Sequence, residues 1–591
     1  MNLVNLESVT HAYGPVPLLR EVSLGIAAGE RIGVVGRNGG GKTTLVSVIA
    51  GTVQPDSGRV THNRGLRVGV LSQGDDLDPA RTVESAVLGD LAEHEWAGDQ
   101  GIREILKGLI GDIDLSGLVG ELSGGERRRT ALARLLIGEH DLIILDEPTN
   151  HLDIEAIDWL AGHLAGRKSA LLVVTHDRWF LDAVSTRTWE VVDGAVERYE
   201  GGYAAYVLAK AERARLAAAT EERRQNLMRK EIAWLRRGPQ ARTTKPKFRV
   251  EAAQALIADE PPVRDEVELV RFAAARLGKT VYDLFDVTLH AGGPGVGPLV
   301  LDRCTWQLGP GDRIGLIGVN GSGKSSLLRL LADAVRPDAG RVVRGKTVRL
   351  AYLSQELVEL DPGRRVLEVV EEIRKYIKVG KREWTASQLL ERLGFRGEAQ
   401  WKAVGDLSGG ERRRLQVLRL LMDDPNVLLL DEPTNDLDIE TLNELEDLLD
   451  GWAGTLVVVS HDRYFLERVT DRSLALLGDG RLSLLPGGVD EYLARRAAAV
   501  ADASAEAAPV AAAVPAEGLS AKEERELRKE LSRLERRLDR LGEREAGLHA
   551  AMAEAADDYE RLGRLDAELK EIASEKDTVE ADWLSLADRL E

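Results

Sequence analysis

One cysteine, Cys304, in 591 residues rules out a disulfide framework and a cysteine-built zinc cluster. Within LDRCTWQL it reads as a small buried strand residue, not as a reactive thiol. Long apolar runs are also missing: hydrophobic residues make up 43% of the chain, but charge breaks them everywhere, so no membrane-spanning segment is expected. The opening MNLVNLESVTHAYG has neither the basic start nor the apolar core of a signal peptide, and a cytoplasmic location is the expectation. Positive charge is in deficit overall, at a net −19, which argues against an unselective nucleic-acid binder but does not exclude local reversals of sign. The length allows several domains, each with its own core.

What is there is a duplication. Residues 122–153 read LSGGERRRTALARLLIGEHDLIILDEPTNHLD and residues 407–438 read LSGGERRRLQVLRLLMDDPNVLLLDEPTNDLD, with 19 of 32 positions identical. In each copy a glycine turn precedes an amphipathic stretch. An apolar run then reads as a buried strand ending in two carboxylates, Asp146-Glu147 and Asp431-Glu432. These leave the strand at its C-terminal edge, where ligands bind in open α/β sheets. Upstream, the strand-like RIGVVG runs into GRNGGGKT and a helix-like TTLVSVIAG. In that setting backbone N–H groups converge on phosphate, Lys42 neutralises the outer phosphates, and the Thr43 hydroxyl can ligate Mg²⁺. The candidates are Gly36, Asn38, Gly39, Gly41, Lys42, Thr43 and Thr44. The loop returns 282 residues later as GVNGSGKS, with Gly318, Asn320, Gly321, Gly323, Lys324, Ser325 and Ser326. Gln73 and Gln355 each lie 37 residues past the first glycine of their loop and end a short strand-like run. A glutamine there offers a neutral carbonyl to Mg²⁺ or to the attacking water. His176 in VVTHDRWF and His461 in VVSHDRYF follow apolar strands at matching places and read as γ-phosphate sensors.

Taken together, these elements resemble the nucleotide-binding domain of the ATP-binding cassette superfamily. Two cassettes on one chain, with DEPTN-x-LD in both, resemble its ABC-F subfamily of translation factors and ribosome-associated ATPases. The resemblance covers residues 1 to about 490. It implies an α/β fold of two tandem P-loop ATPase domains that bind ATP and Mg²⁺ and hydrolyse ATP. Glu147 and Glu432 would polarise the attacking water, with His176 and His461 as the other catalytic pair. Asp146 and Asp431 would hold Mg²⁺ through its water shell, with Thr43, Ser325, Gln73 and Gln355 in the same metal sets. Ser123 and Gly125 sit at a helix start whose N–H groups make an anion site, and Ser408 and Gly410 at another. In the family each such turn closes over the ATP held by the other lobe, so Asp153 and Asp438 would lie at the interface and the cassettes pair within one monomer. One departure stands out. Tyr13 takes the place of the family's aromatic ring under adenine, but Ala291 occupies the matching place in the second lobe. A base stacked on a ring is worth ~1–3 kcal/mol, so the second site is expected to discriminate adenine poorly unless His290 or Tyr282 substitutes.

The expected segments are an ATPase domain at 1–202, a basic helical linker at 203–265, a second ATPase domain at 266–492, a loose Ala/Pro/Glu linker at 493–518 and a coiled coil at 519–591. Residues 203–237 hold no Gly or Pro, and 210–249 carry 13 Lys/Arg against 4 Glu, a charge that suits a phosphate backbone. Arg236, Arg237, Arg242, Lys245 and Lys247, around Gly238-Pro239, are the candidate RNA contacts. In ABC-F proteins the corresponding linker enters the ribosomal exit-tRNA site, so ribosomal RNA and tRNA are the implied partners. The short spacing from Gln73 to Leu122 implies that the extra helical arm of some members is absent. Beyond residue 520, leucine heptads on either side of Asp557-Asp558 predict an antiparallel two-helix coiled coil resembling the C-terminal domain of the Uup branch. That branch implies DNA or other nucleic-acid association, against which residues 520–591 set 14 Lys/Arg and 21 Asp/Glu. The alternatives are a DNA-binding cassette ATPase of repair or replication, and a transporter energy subunit.

Overall fold

The computed structural model describes residues 2–213 except 15, 16, 73, 75, 76, 90 and 92, and residues 280–506 except 294–296, 355–359, 380, 381, 393 and 436, with isolated positions 215, 278, 540 and 544. Gln73, Gln355, the five candidate RNA contacts Arg236, Arg237, Arg242, Lys245 and Lys247, and the leucine heptads lie outside the described residues. The chain divides into a unit of Met1–Ala499, which holds both copies of the repeat, and a unit of Val500–Glu591.

In the first lobe, β1 (Asn2–Ala12), β2 (Pro17–Ala27) and β4 (Ser57–His62) form an antiparallel sheet in the order β2-β1-β4. A second sheet joins β3 (Arg31–Gly36), β5 (Val68–Leu71), β6 (Leu142–Asp146), β7 (Ala170–Val174), β8 (Arg187–Val192) and β9 (Ala195–Glu200) in the order β5-β6-β7-β3-β8-β9, parallel except at β9. All five residues of β6 and of β7 are buried, as their unbroken apolar runs require of strands covered on both faces. The register sets Asp146 opposite Val174, so the carboxylates after β6 and the histidine after β7 emerge at one edge, beside the glycine loop that follows β3.

The second lobe repeats this plan. β10 (Tyr282–His290), β11 (Leu299–Leu308) and β13 (Ala339–Arg344) form the antiparallel sheet. β12 (Arg313–Ile317), β14 (Leu350–Leu353), β17 (Val427–Asp431), β18 (Thr455–Val459), β19 (Arg472–Leu476) and β20 (Leu482–Leu485) form the larger one, in the order β14-β17-β18-β12-β19-β20. The lobes differ between the glycine loop and LSGGE. There the first lobe has short helices, Val83–Leu88, Glu93–Gly98 and Gln100–Ile110, while the second inserts a hairpin of β15 (Tyr376–Val379) and β16 (Arg382–Thr385). No long antiparallel arm is present among the described residues of this stretch.

Apolar clusters flank each large sheet, and among their buried members two residues change sides. Ile154 belongs to the cluster built from the second lobe, and Ile439 to that built from the first. Residues 203–213, at the start of the stretch expected to be the linker, are helical. The tract expected to be loose from residue 493 instead begins inside the helix Gly488–Glu506, because alanine is a strong helix former and the first proline of the tract comes only at Pro509.

Candidate nucleotide sites between the two lobes

Both glycine loops are tight turns into a helix. Gly41 and Gly323 have φ of +98° and +94°, and a Cβ would stand 2.9 Å from the Leu18 carbonyl oxygen or 2.3 Å from Val300 Cγ1. Only glycine fits such a left-handed, crowded position. The Lys42 ammonium donates to the carbonyls of Gly36 (2.8 Å) and Arg37 (3.1 Å), and Lys324 to those of Gly318 (2.7 Å) and Val319 (2.9 Å). Burial pulls both lysines below their ordinary pKa, against the raising effect of Glu147 and Glu432.

The strand ends deliver the acids. Asp146 and Asp431 are each 1% exposed, and each has one buried carboxylate oxygen without a hydrogen-bond partner among the described residues. Glu147 and Glu432 follow at φ +51° and +48°, conformations that cost a non-glycine residue ~1–3 kcal/mol and cluster at functional sites. Each is fixed by its backbone N–H, which donates to Val174 at 2.7 Å or to Val459 at 2.9 Å. His176 Nε2 lies 3.2 Å from Glu147 Oε1 and 3.1 Å from Asn38 Oδ1, while His461 Nε2 lies 3.3 Å from Glu432 Oε1. Burial pushes both glutamates well above the usual carboxylate range. It pulls His176 down to about 3 and His461 well below its ordinary value, so both imidazoles are neutral at neutral pH.

The lobes interlock through their aspartates. Asn38 donates its backbone N–H to Asp438 Oδ2 at 3.0 Å, and Asn320 donates to Asp153 Oδ2 at 3.2 Å. The other oxygen of each aspartate caps its own helix, accepting from Thr441 N at 2.9 Å and Ala156 N at 3.0 Å. Ser123 and Ser408 open their helices in capping boxes with Glu126 and Glu411. One cavity of about 1210 Å³ is bordered by both glycine loops, both serine turns, both acid pairs and both histidines.

Of the described candidates, Gly36, Gly318 and Tyr13 do not border this cavity, whereas Ala291 does. Tyr13 is 64% exposed, its ring edge-on to His11. The expected pairing of Tyr13 with Ala291 holds structurally. Ser8 and Asp286 share a left-handed bulge, and Ala12 and His290 donate to Asp56 and Asp338 at 2.9 and 2.8 Å. Tyr282 cannot supply the missing ring, being 1% exposed within the second lobe's core.

Two arginine pairs escaped the sequence reading. Arg128 reaches the carbonyls of Ser72 and Glu147, and Arg413 those of Ser354, Asp431 and Glu432, tying each serine-turn helix to the strand that carries the acids. Arg178, buried in the interface, meets Glu446, Asn443 and Asp462 of the second lobe. Its counterpart Arg463 meets Asp158 at 2.8 Å and Asp490, on its own lobe, at 3.9 Å, and covers the Trp179 ring. The repeated ERRR and HDR strings were the available signal.

Residues 19–150 and 301–435 match the family described as ABC transporter. Residues 189–272 match a second family of the same description, and 518–588 one described as ABC transporter C-terminal domain. The uncharacterized ABC transporter ATP-binding protein YfmR of Bacillus subtilis is 37% identical over 99% of both chains. The energy-dependent translational throttle protein EttA is 36% identical in Mycobacterium tuberculosis, over 81% of this chain and 92% of that one. In Escherichia coli K12 it is 34% identical over 80% and 92%. The archaeal ribosome recycling factor aABCE1 shares the fold, with a TM-score of 0.57 at 22% identity over 83% of this chain and 92% of that one. With two cassettes that interlock through each other's glycine loops, one relative matched along nearly the whole length and others along four fifths of it, this chain belongs to the ABC-F subfamily of ATP-binding cassette proteins and is an ATPase.

Proposed function

We propose that this chain is a cytoplasmic, ribosome-associated ATPase of translation or ribosome assembly, whose cassettes close over two Mg·ATP and whose linker contacts RNA while they are closed. Two of its relatives are named as translational throttles, and they align with four fifths of the chain. Among the described residues, no helix is long and apolar enough to cross a membrane. The observation that carries the reading is reciprocity: each lobe's glycine loop is gripped by the other lobe's aspartate.

The residues fit the nucleotide and its ion. An unpartnered buried oxygen on Asp146, beside Thr43, and another on Asp431, beside Ser325, suit a hard cation that takes few protein ligands. When bound, Mg²⁺ would neutralise charge developing on the phosphates. Glu147 and Glu432, made more basic by burial, take the proton of the attacking water. Neutral His176 and His461 hold those carboxylates in line. Ser408 and Gly410 would close over the phosphates held by the loop of Lys42, and Ser123 and Gly125 over those held by the loop of Lys324, so hydrolysis would need both lobes. Arg236, Arg237, Arg242, Lys245 and Lys247 would meet ribosomal RNA and tRNA.

The double change Glu147→Gln and Glu432→Gln should slow turnover by ~10²–10⁴ and, with ATP, hold the protein on ribosomes in co-sedimentation. A locked protein that ignores ribosomes but pellets with branched DNA would overturn the reading in favour of DNA.

A further inference from the structure

The two lobes have parted company in charge at one place. Residues 82–118 of the first lobe carry 2 Lys/Arg against 8 Asp/Glu, while their counterparts, residues 365–403, carry 9 against 6. The ends correspond, because Thr82 bridges to Leu118 as Arg365 does to Ala403. The excess is concentrated where the second lobe inserts its hairpin. Residues 374–382 read RKYIKVGKR, five basic residues with no acid, in a protein of net charge −19. Arg374 and Lys375 lead into β15, exposed and without a carboxylate partner among the described residues, and Tyr376 follows with 60% of its surface exposed. Lys378 and Arg382 occupy strand positions of the same hairpin, whose register pairs Tyr376 with Thr385 and Val379 with Arg382. None of these residues borders the cavity between the lobes, so nothing in the ATPase site accounts for them.

Exposed cations beside an exposed ring, where the chain enters a two-stranded hairpin, suit a phosphodiester backbone with an unstacked base: Arg374 and Lys375 meet phosphates and the ring takes the base. We infer that the β15–β16 hairpin of the second lobe is an RNA-binding surface separate from the linker, with Arg374 and Lys375 on the backbone and Tyr376 stacking on an unpaired base. Its place on the ribosome rests on the proposed function; its affinity for RNA does not.

The test uses the full chain with Arg236, Arg237, Arg242, Lys245 and Lys247 changed to Gln, and a labelled single-stranded RNA 20-mer as probe. Salt-dependent binding should persist in that background. Adding Arg374→Glu and Lys375→Glu should weaken it about tenfold or more and flatten the salt slope by about 1–2. Adding Tyr376→Ala alone should weaken it about five- to tenfold while leaving the slope unchanged. ATP turnover without RNA should be the same in every variant, which also reports correct folding. RNA binding lost entirely with the linker, or unchanged by the hairpin substitutions, overturns the inference. So does a hairpin variant that keeps RNA binding but loses ribosomes, since that points to a protein partner. Retained RNA binding with no ribosome association in any variant refutes the ribosome reading alone.

Discussion

Ser123 and Ser408 show how much one side chain can be asked to do. Each caps a 14-residue helix, accepting from the backbone of Glu126 or Glu411 at 3.3 Å, and each also borders the cavity where the other lobe's phosphates would lie. Removing the hydroxyl therefore has two readouts. Ser408→Ala should cost about 1 kcal/mol of stability through the lost cap, seen as a small drop in Tm, and a larger fall in ATP turnover. Equal losses at both readouts would mean that the serine is only a cap. Glu147 and Glu432 make the complementary case, since their left-handed backbone carries a strain of the kind that clusters at functional sites. Phosphate-loop, acid and histidine candidates were legible in the sequence because their chemistry demands particular residue types at close spacing. Arg128 and Arg178 were not, because their partners lie 18 or more residues away along the chain and are met only in three dimensions.

At the scale of elements, the same device recurs where the chain leaves each lobe. Lys210, on the helical start of the linker, donates to Glu190 at 2.5 Å and lies 3.6 Å from Glu440. Tyr492 and Arg496, on the helix leaving the second lobe, donate to Glu155 at 2.7 and 2.6 Å. Glu155 and Glu440 each follow, by two residues, the aspartate that grips the opposite glycine loop, so a single helix start connects nucleotide loop and exit helix. Glu190 anchors the first of these junctions, accepting also from Tyr199 and Tyr206. Burial alone would raise its pKa, but the bonds from Lys210, Tyr206 and Tyr199 outweigh it and hold the carboxyl below its ordinary 4.5. A depressed pKa contributes stability that is present above 4.5 and lost as pH falls through the folded value. The stability lost on Glu190→Gln should therefore be full at pH 6–7 and shrink on acidification below about 4.5, measured by urea unfolding across that range. A gap independent of pH would exclude this anchor.

For the whole molecule, the duplication is symmetric in chemistry and asymmetric in assembly. Arg178 is buried against Glu446 and Asp462, with 5%, 1% and 9% of the side chains exposed, whereas the Asp158 partner of Arg463 is 45% exposed. Truncating one member of a buried pair leaves a charge without solvent. Arg178→Ala should thus cost about 3–5 kcal/mol in urea unfolding of the full chain. Arg463→Ala should cost only on the order of 1 kcal/mol. Comparable losses would show that the two contacts are equivalent after all. The sequence by itself determined that there are two cassettes, which residues are the candidates to bind and hydrolyse the nucleotide, and where each strand must end, because periodicity and loop chemistry are local properties of the chain. It was also enough to reveal that Tyr13 has no ring as counterpart in the second lobe. Only the tertiary structure decided that each aspartate spends one oxygen on its own helix and the other on the opposite loop, that Ile154 and Ile439 exchange cores, that Tyr282 is unavailable as a base platform, and that one arginine latch has buried partners and the other exposed ones. Those outcomes depend on desolvation and packing between surfaces far apart in sequence, and no local pattern encodes how much water a given pair of side chains will keep.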